Sequence, residues 1–250
     1  YAVFVPLSSA LAVYGGVWLA QGINPVAGAA LAGLALWVSS SLRMLLESAG
    51  AVIDASDEDA DAAGDALLAL VGRDTEELPP GLIRSAAVES LAENLSDGLV
   101  APLSAFFLLS FVSMPAAAAG AAFVKAVNTM DSMYGYPGPF GWGSARLDDF
   151  VMFVPARASA ALLALAAGDP DAPLRARRYA RKLASPNAGW PMGTLAAALD
   201  LRLEKPGVYV LNDVAAEPTM WDGARAIEVT KRAGISAYAL VGIAGVIRWL

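Results

Sequence analysis

Three stretches of this chain carry no charged residue: 1–42, 98–124 and 233–247. A helix must run for roughly 20 mostly apolar residues to cross the ~30 Å hydrocarbon core of a bilayer. The first stretch is long enough for two crossings, with Gln21-Gly22-Ile23-Asn24-Pro25 as the turn between them. The second accommodates one crossing, and the third a shorter one. The core of a large soluble protein could be equally apolar, but soluble helices of this length show a polar face. Composition agrees: 57% of residues are hydrophobic and 16% charged, against about 25% charged in an ordinary soluble domain. The chain therefore reads as all-α, a polytopic integral membrane protein. About 4–5 embedded helices, some broken, and amphipathic cytoplasmic helices would form one membrane-embedded domain over 1–250.

Two absences narrow the chemistry. The chain has no histidine and no cysteine, so a Ser-His-Asp triad, a Cys-His pair and zinc on imidazole or thiolate are excluded. Any metal must be a hard cation on oxygen ligands, magnesium above all. The net charge of −7 argues against nucleic acid as a partner, which would want a basic face.

Between the apolar stretches the pattern predicts a mixed series of helices. Apolar helices over 3–20 and 26–46 open the chain. An acidic run over 54–61 starts an alanine-rich helix that ends near Gly72. Pro79-Pro80-Gly81 breaks the chain before an amphipathic helix over 82–96. An apolar helix follows over 99–113, is interrupted at Pro115 and continues to about 127. A Gly/Pro-rich loop over 135–143 leads to a helical stretch over 145–167, where Pro155-Ala156-Arg157 suggests a break. Arg175, Arg177, Arg178, Arg181 and Lys182 form the one basic segment, which the positive-inside rule assigns to the cytoplasm. The segment 206–222 reads as irregular, and a helix over 223–250 closes the chain. Irregular backbone at membrane depth is tolerated where it lines a polar cavity, so the polar clusters are expected to converge on one cavity open to the cytoplasm.

Four clusters could carry chemistry. Glu89, Glu93 and Asp97 recur every four residues, so a helix places them on one face. No lysine or arginine follows any of them at i+4. The ladder suits a magnesium–phosphate site or, equally, a solvated acidic face. Lys125, Asn128 and Asp131 fall near one helical face directly after an uncharged span, where ionisable groups are costly and tend to be functional. Arg146, Asp148, Asp149 and the isolated Arg157 form a third group; Arg157 must bind an anion or pair with Asp148 or Asp149. The fourth, Ser185-Pro186-Asn187-Ala188-Gly189-Trp190-Pro191, presents either a helix N-terminus for an anion or a plain turn.

Five strings, taken in order, resemble one family: Val71-Gly72-Arg73-Asp74-Thr75; Glu89-Ser90-Leu91-Ala92-Glu93-Asn94 with Asp97-Gly98; the run from Lys125 to Tyr136; Phe140-Gly141-Trp142-Gly143-Ser144-Ala145-Arg146-Leu147-Asp148-Asp149 with Pro155-Ala156-Arg157; and Ser185-Pro186-Asn187-Ala188-Gly189-Trp190-Pro191-Met192. This is the adenosylcobinamide-phosphate synthase family of cobalamin biosynthesis (CobD/CbiB), and the match spans roughly residues 70–200. Two features depart from its pattern. The family has a histidine shortly before Ser-Pro-Asn, where this chain reads Lys182-Leu183-Ala184, and a segment ahead of the first spans.

The resemblance implies a multi-pass enzyme of the cell membrane with its active site facing the cytoplasm. Using ATP and Mg2+, it would join an amino-alcohol phosphate, such as aminopropanol phosphate, to a propionate carboxylate of the corrinoid adenosylcobyric acid. Its surroundings would be membrane lipid and other membrane enzymes of corrinoid assembly. Glu89, Glu93 and Asp97 would hold the metal, and Asp131, Asp148 and Lys125 would be catalytic, either aspartate taking the proton from the attacking amine. Arg84, Asn94, Asn128, Ser132, Arg146, Arg157, Ser185 and Asn187 would bind substrate and phosphate. No Walker-type loop is present, so any ATP site is of another kind. A transporter with a charged midplane cavity, or a non-catalytic membrane sensor or scaffold, would use similar residues. Neither would make an ATP-dependent covalent product.

Overall fold

The computed structural model describes residues 2–71, 78–135, 138 and 141–249, without the side chains of 60, 61, 69, 71, 248 and 249. In chain order the elements are α1 (Phe4–Ile23), α2 (Pro25–Ser39), α3 (Leu42–Ala55), α4 (Ala60–Val71) and α5 (Pro80–Leu95). A π-turn (Ser96–Val100) leads into α6 (Ala101–Ser110), α7 (Met114–Tyr134), α8 (Trp142–Val151), α9 (Phe153–Ala167), α10 (Ala172–Ala180) and α11 (Gly189–Leu199). A hairpin of β1 (Leu203–Lys205) and β2 (Tyr209–Leu211) precedes α12 (Met220–Trp249). These residues form two compact units. One comprises Tyr1–Ser41, Asp97–Pro155 and Ala237–Leu250, and the other Leu42–Ser96 and Ala156–Ser236.

In the first unit the turn between α1 and α2 sits where its chemistry puts it. Asn24 is extended and its side chain accepts from the Val26 N–H (2.8 Å), while Pro25 occupies the first helical position. That position needs no N–H donor. Val17, Ala32 and Ala118 form a buried cluster with Val13, Ala35, Phe106 and Met114 around it. Small residues let the backbones come close: a Cβ on Gly120 would meet Leu109 Cδ1 at 2.5 Å and the Ala105 carbonyl at 3.3 Å. The outward faces are the reverse of a soluble protein's. Phe4, Trp18, Ile23, Val26 and Trp37 are each at least 60% exposed, the pattern of helices solvated by lipid.

The second unit has a conventional core. Val52 and Ile53 of α3, Ala63 and Leu67 of α4, and Ile83, Ala86 and Ala87 of α5 are buried together. The helix expected over 82–96 is therefore not amphipathic. Alongside its apolar residues α5 buries Ser85, Glu89 and Ser90, so it is enclosed on every face.

Several other expectations are corrected. The helix expected over 26–46 is interrupted at Ser40 and Ser41, where Ser40 turns extended and its hydroxyl donates to the Leu36 carbonyl (2.9 Å), and it resumes at Leu42. The uncharged stretch 98–124 is not one continuous helix. It contains α6, at 10 residues only about 15 Å long, a turn, and the first half of α7. The break precedes Pro115, which sits at the head of α7 behind the Ser113 cap. The helical stretch over 145–167 breaks at Met152, not at Pro155. The segment read as irregular holds β2, paired antiparallel with β1 through Leu203↔Leu211, so the all-α chain carries one small hairpin. Among the described residues, Phe4–Ile23 and Pro25–Ala55 are long and apolar enough to cross a membrane. A third span results if Trp142–Val151 and Phe153–Ala167 act as one broken helix.

Candidate functional site

Glu89 is the most deeply enclosed of the expected acidic site residues, 5% exposed. A buried carboxylate is tolerated only when hydrogen-bonded, and Glu89 is. Ser85, one turn earlier, donates to Oε1 (3.1 Å), and Tyr209 of β2 donates to Oε2 (2.9 Å). The Glu204 N–H of β1 donates in turn to Ser85 Oγ (2.7 Å). This network fastens the hairpin to α5. Arg84 is similarly engaged: Nε donates to the Pro218 carbonyl (2.6 Å), and Nη1 to Ser56 Oγ (3.0 Å) and Asp57 (2.6 Å). Asn94 donates back to the Ser90 carbonyl (3.1 Å) and hydroxyl (2.9 Å). Glu93, on the same helix, is half-buried.

The second unit also holds Arg157 of α9. Its Nη1 donates to Asn187 Oδ1 (2.7 Å) and Nη2 to the Pro186 carbonyl (3.3 Å), and its guanidinium lies 5.2 Å from the Trp190 ring centroid. These contacts hold the guanidinium in place, and an arginine stays charged in any protein setting. Ser185 Oγ accepts from the N–H groups of Asn187 (3.2 Å) and Ala188 (3.4 Å), fixing the loop ahead of α11.

In the first unit the polar residues gather on α7, α8 and the π-turn. Asn128 Nδ2 lies 3.4 Å from Asp97 Oδ2. Ser132 Oγ donates to the Asn128 carbonyl (3.0 Å), and Arg146 pairs with Asp149 (3.1 Å). Asp131, in the last turn of α7, has one carboxylate oxygen buried with no hydrogen-bond partner. One oxygen of Asp148 is buried as well. Burial, and then the neighbouring Asp149, raise the Asp131 carboxyl above the usual carboxylate range. Lys125 takes a different side of α7: it lines an apolar groove with α1 and α2.

Of the ladder Glu89, Glu93 and Asp97, the first two lie on α5 and Asp97 in the π-turn that follows it. Among the described residues no three acidic side chains come together closely enough to hold a metal ion. Residues 72–75 of the first family string, and Tyr136 and Phe140 of two others, lie outside the described residues. One contributor, Tyr209, escaped the sequence reading, and two, Asp149 and Trp190, were named in clusters without these roles. Tyr209 lies 120 positions from its partner Glu89, and no periodicity links them. Asp149 acts as the neighbour of Asp131. Trp190 stacks beneath Arg157, and its place in the Ser-Pro-Asn string was the signal available.

The family model described as "CobD/Cbib protein" matches residues 1–238. The chain belongs to the CobD/CbiB family. A "Cobalamin biosynthesis protein CobD" from Rhodobacter capsulatus is 38% identical over 251 residues, covering 92% of this chain and 75% of that protein. Another of that name from Geobacter metallireducens is 38% identical over 231 residues, covering 88% and 70%. No solved structure matches. This CobD/CbiB chain is thus a helical membrane protein with a role in cobalamin biosynthesis.

Proposed function

We propose that this CobD/CbiB chain is an amide ligase that joins an amino-alcohol phosphate to the propionate carboxylate of adenosylcobyric acid. The observation that carries the reading is the orphaned, buried carboxylate oxygen of Asp131. A buried acceptor without a donor is costly to keep, and a carboxyl raised above its ordinary value suits a base that accepts the amine proton as the C–N bond forms. Arg157, held by Asn187 and Trp190, keeps a fixed positive charge suited to substrate phosphate. ATP would drive loss of the carboxylate oxygen, and magnesium would neutralise the phosphates. The described residues do not supply a three-carboxylate cage. The metal would therefore enter on the nucleotide, which needs only one or two protein carboxylates.

The purified protein is incubated with cobyric acid, aminopropanol phosphate, magnesium and ATP, and the corrinoid is weighed by mass spectrometry. Condensation that needs both ATP and the amine is the expected result; an unchanged corrinoid overturns the reading. In the same assay Arg157→Lys raises KM for the amino-alcohol phosphate about tenfold with a smaller change in kcat. An unchanged KM would leave Arg157 a purely structural part.

A further inference from the structure

Between α1, α2 and α7 of the first unit lies a groove of about 1100 Å³. It exceeds the upper end of ordinary small-molecule pockets, about 1000 Å³, and nothing in the proposed ligation uses it. Val13, Val17, Leu31 and Leu34 are among its mostly apolar lining. Hydroxyls and a single cation, Lys125, also line it. The hydroxyls of Ser9, Ser39 and Thr129 donate to carbonyls of their own helices (Val5, Ala35 and Lys125), so they offer no hydrogen outward. The half-buried Lys125 ammonium has no hydrogen-bond or ion-pair partner among the described residues. An unpaired cation is costly in apolar surroundings and calls for an anion.

Two of the groove's walls, α1 and α2, belong to the segments long and apolar enough to cross a membrane. The occupant must then be apolar along most of its length, anionic at one place, and delivered from the bilayer. We infer that the groove binds an anionic phospholipid, with an acyl chain along Val17 and Leu31 and the headgroup phosphate on Lys125. The charge complementarity selects an anionic headgroup. The mostly apolar lining distinguishes this site from a phosphate site for soluble substrates.

The test reads bound lipid mass rather than turnover, so it stands apart from the ligase reading. The full chain in detergent is titrated with phosphatidylglycerol, diacylglycerol and oleate and followed by native mass spectrometry. Phosphatidylglycerol is expected to be retained best. Lys125→Ala weakens that binding about tenfold while leaving diacylglycerol unchanged, and Lys125→Arg restores it. Gly16→Phe fills the groove from α1, where a Cβ meets only Leu31 Cδ2 at 3.8 Å, and removes phospholipid binding. Ala126→Phe does the same from α7, should the first variant melt early. Phosphatidylglycerol bound equally by wild type, Lys125→Ala and a filled-groove variant would overturn the inference. So would tighter binding of oleate than of phospholipid.

Discussion

Two acids, one in each unit, are both withdrawn from solvent and treated in opposite ways. Glu89 on α5 receives hydroxyl donors on both carboxylate oxygens, from Ser85 and Tyr209. Asp131 on α7 has an oxygen equally hidden and no donor for it. A satisfied buried carboxylate holds structure together, because its cost is already offset by its bonds. An unsatisfied one is a standing cost that the fold tolerates where chemistry needs it. The contrast sorts residues that the sequence presented as equals: Glu89 joins α5 to the hairpin, and Asp131 is left available.

The largest expected effect tests the second half of that contrast. Asp131→Asn keeps the shape of the side chain and removes the base, so ligation should fall by about 10²–10⁴-fold. The same change should not lower the melting temperature. A carboxyl whose folded pKa is raised contributes stability only while protonated, and that contribution is lost as pH rises through the raised value. The neutral amide escapes that loss, so at neutral pH the variant should melt at or above wild type. Turnover near wild type would remove Asp131 from the chemistry, and a lower melting temperature would make it structural.

Glu89→Ala should show the opposite signature. It leaves the Ser85 and Tyr209 hydroxyls without their acceptor and opens a cavity beside α5. A cost of about 3 kcal/mol is expected, read as a melting point lowered by roughly 6–12 °C. Protein that survives at low temperature should retain the KM for amino-alcohol phosphate. Loss of ligation with an unchanged melting point would instead return Glu89 to the metal-holding part that the resemblance implies.

Which of these roles could be read in advance follows from range. The spans α1 and α2 were legible because a charge-free stretch is a local property, and the Asn24-Pro25 turn is written in adjacent residues. Arg157 and the Ser-Pro-Asn string were found as motifs, but their union through Asn187 is a tertiary fact. The enclosure of α5 was not legible. Glu89 and Glu93 resemble a solvated face until Tyr209, far along the chain, is placed over one of them. The π-turn at Ser96–Val100 escaped for a related reason: 3.6-residue periodicity presumes an unbroken α-helix, and Asp97 lies in the widened turn.

The finest test of the contrast concerns why Asp131 is raised. Burial is the larger cause and Asp149 the smaller. If ligation needs ionised Asp131, activity should disappear as pH falls through its raised pKa, above the range where ordinary carboxylates protonate. Asp149→Asn removes the repelling charge and leaves the burial. It should shift the acid limb of the kcat/KM profile to lower pH, but not as far as an unperturbed aspartate, with the plateau at higher pH little changed. Arg146 also loses its partner in this variant. Arg146→Gln therefore serves as the control for a broken pair, and it should move the limb the other way, because Asp149 keeps its charge and loses the cation that offsets it. Limbs that move together in both variants would show that the pair acts by holding α8 in place. Limbs that move apart would show that Asp131 is tuned by charge, as a base requires and as Glu89, saturated with donors, does not.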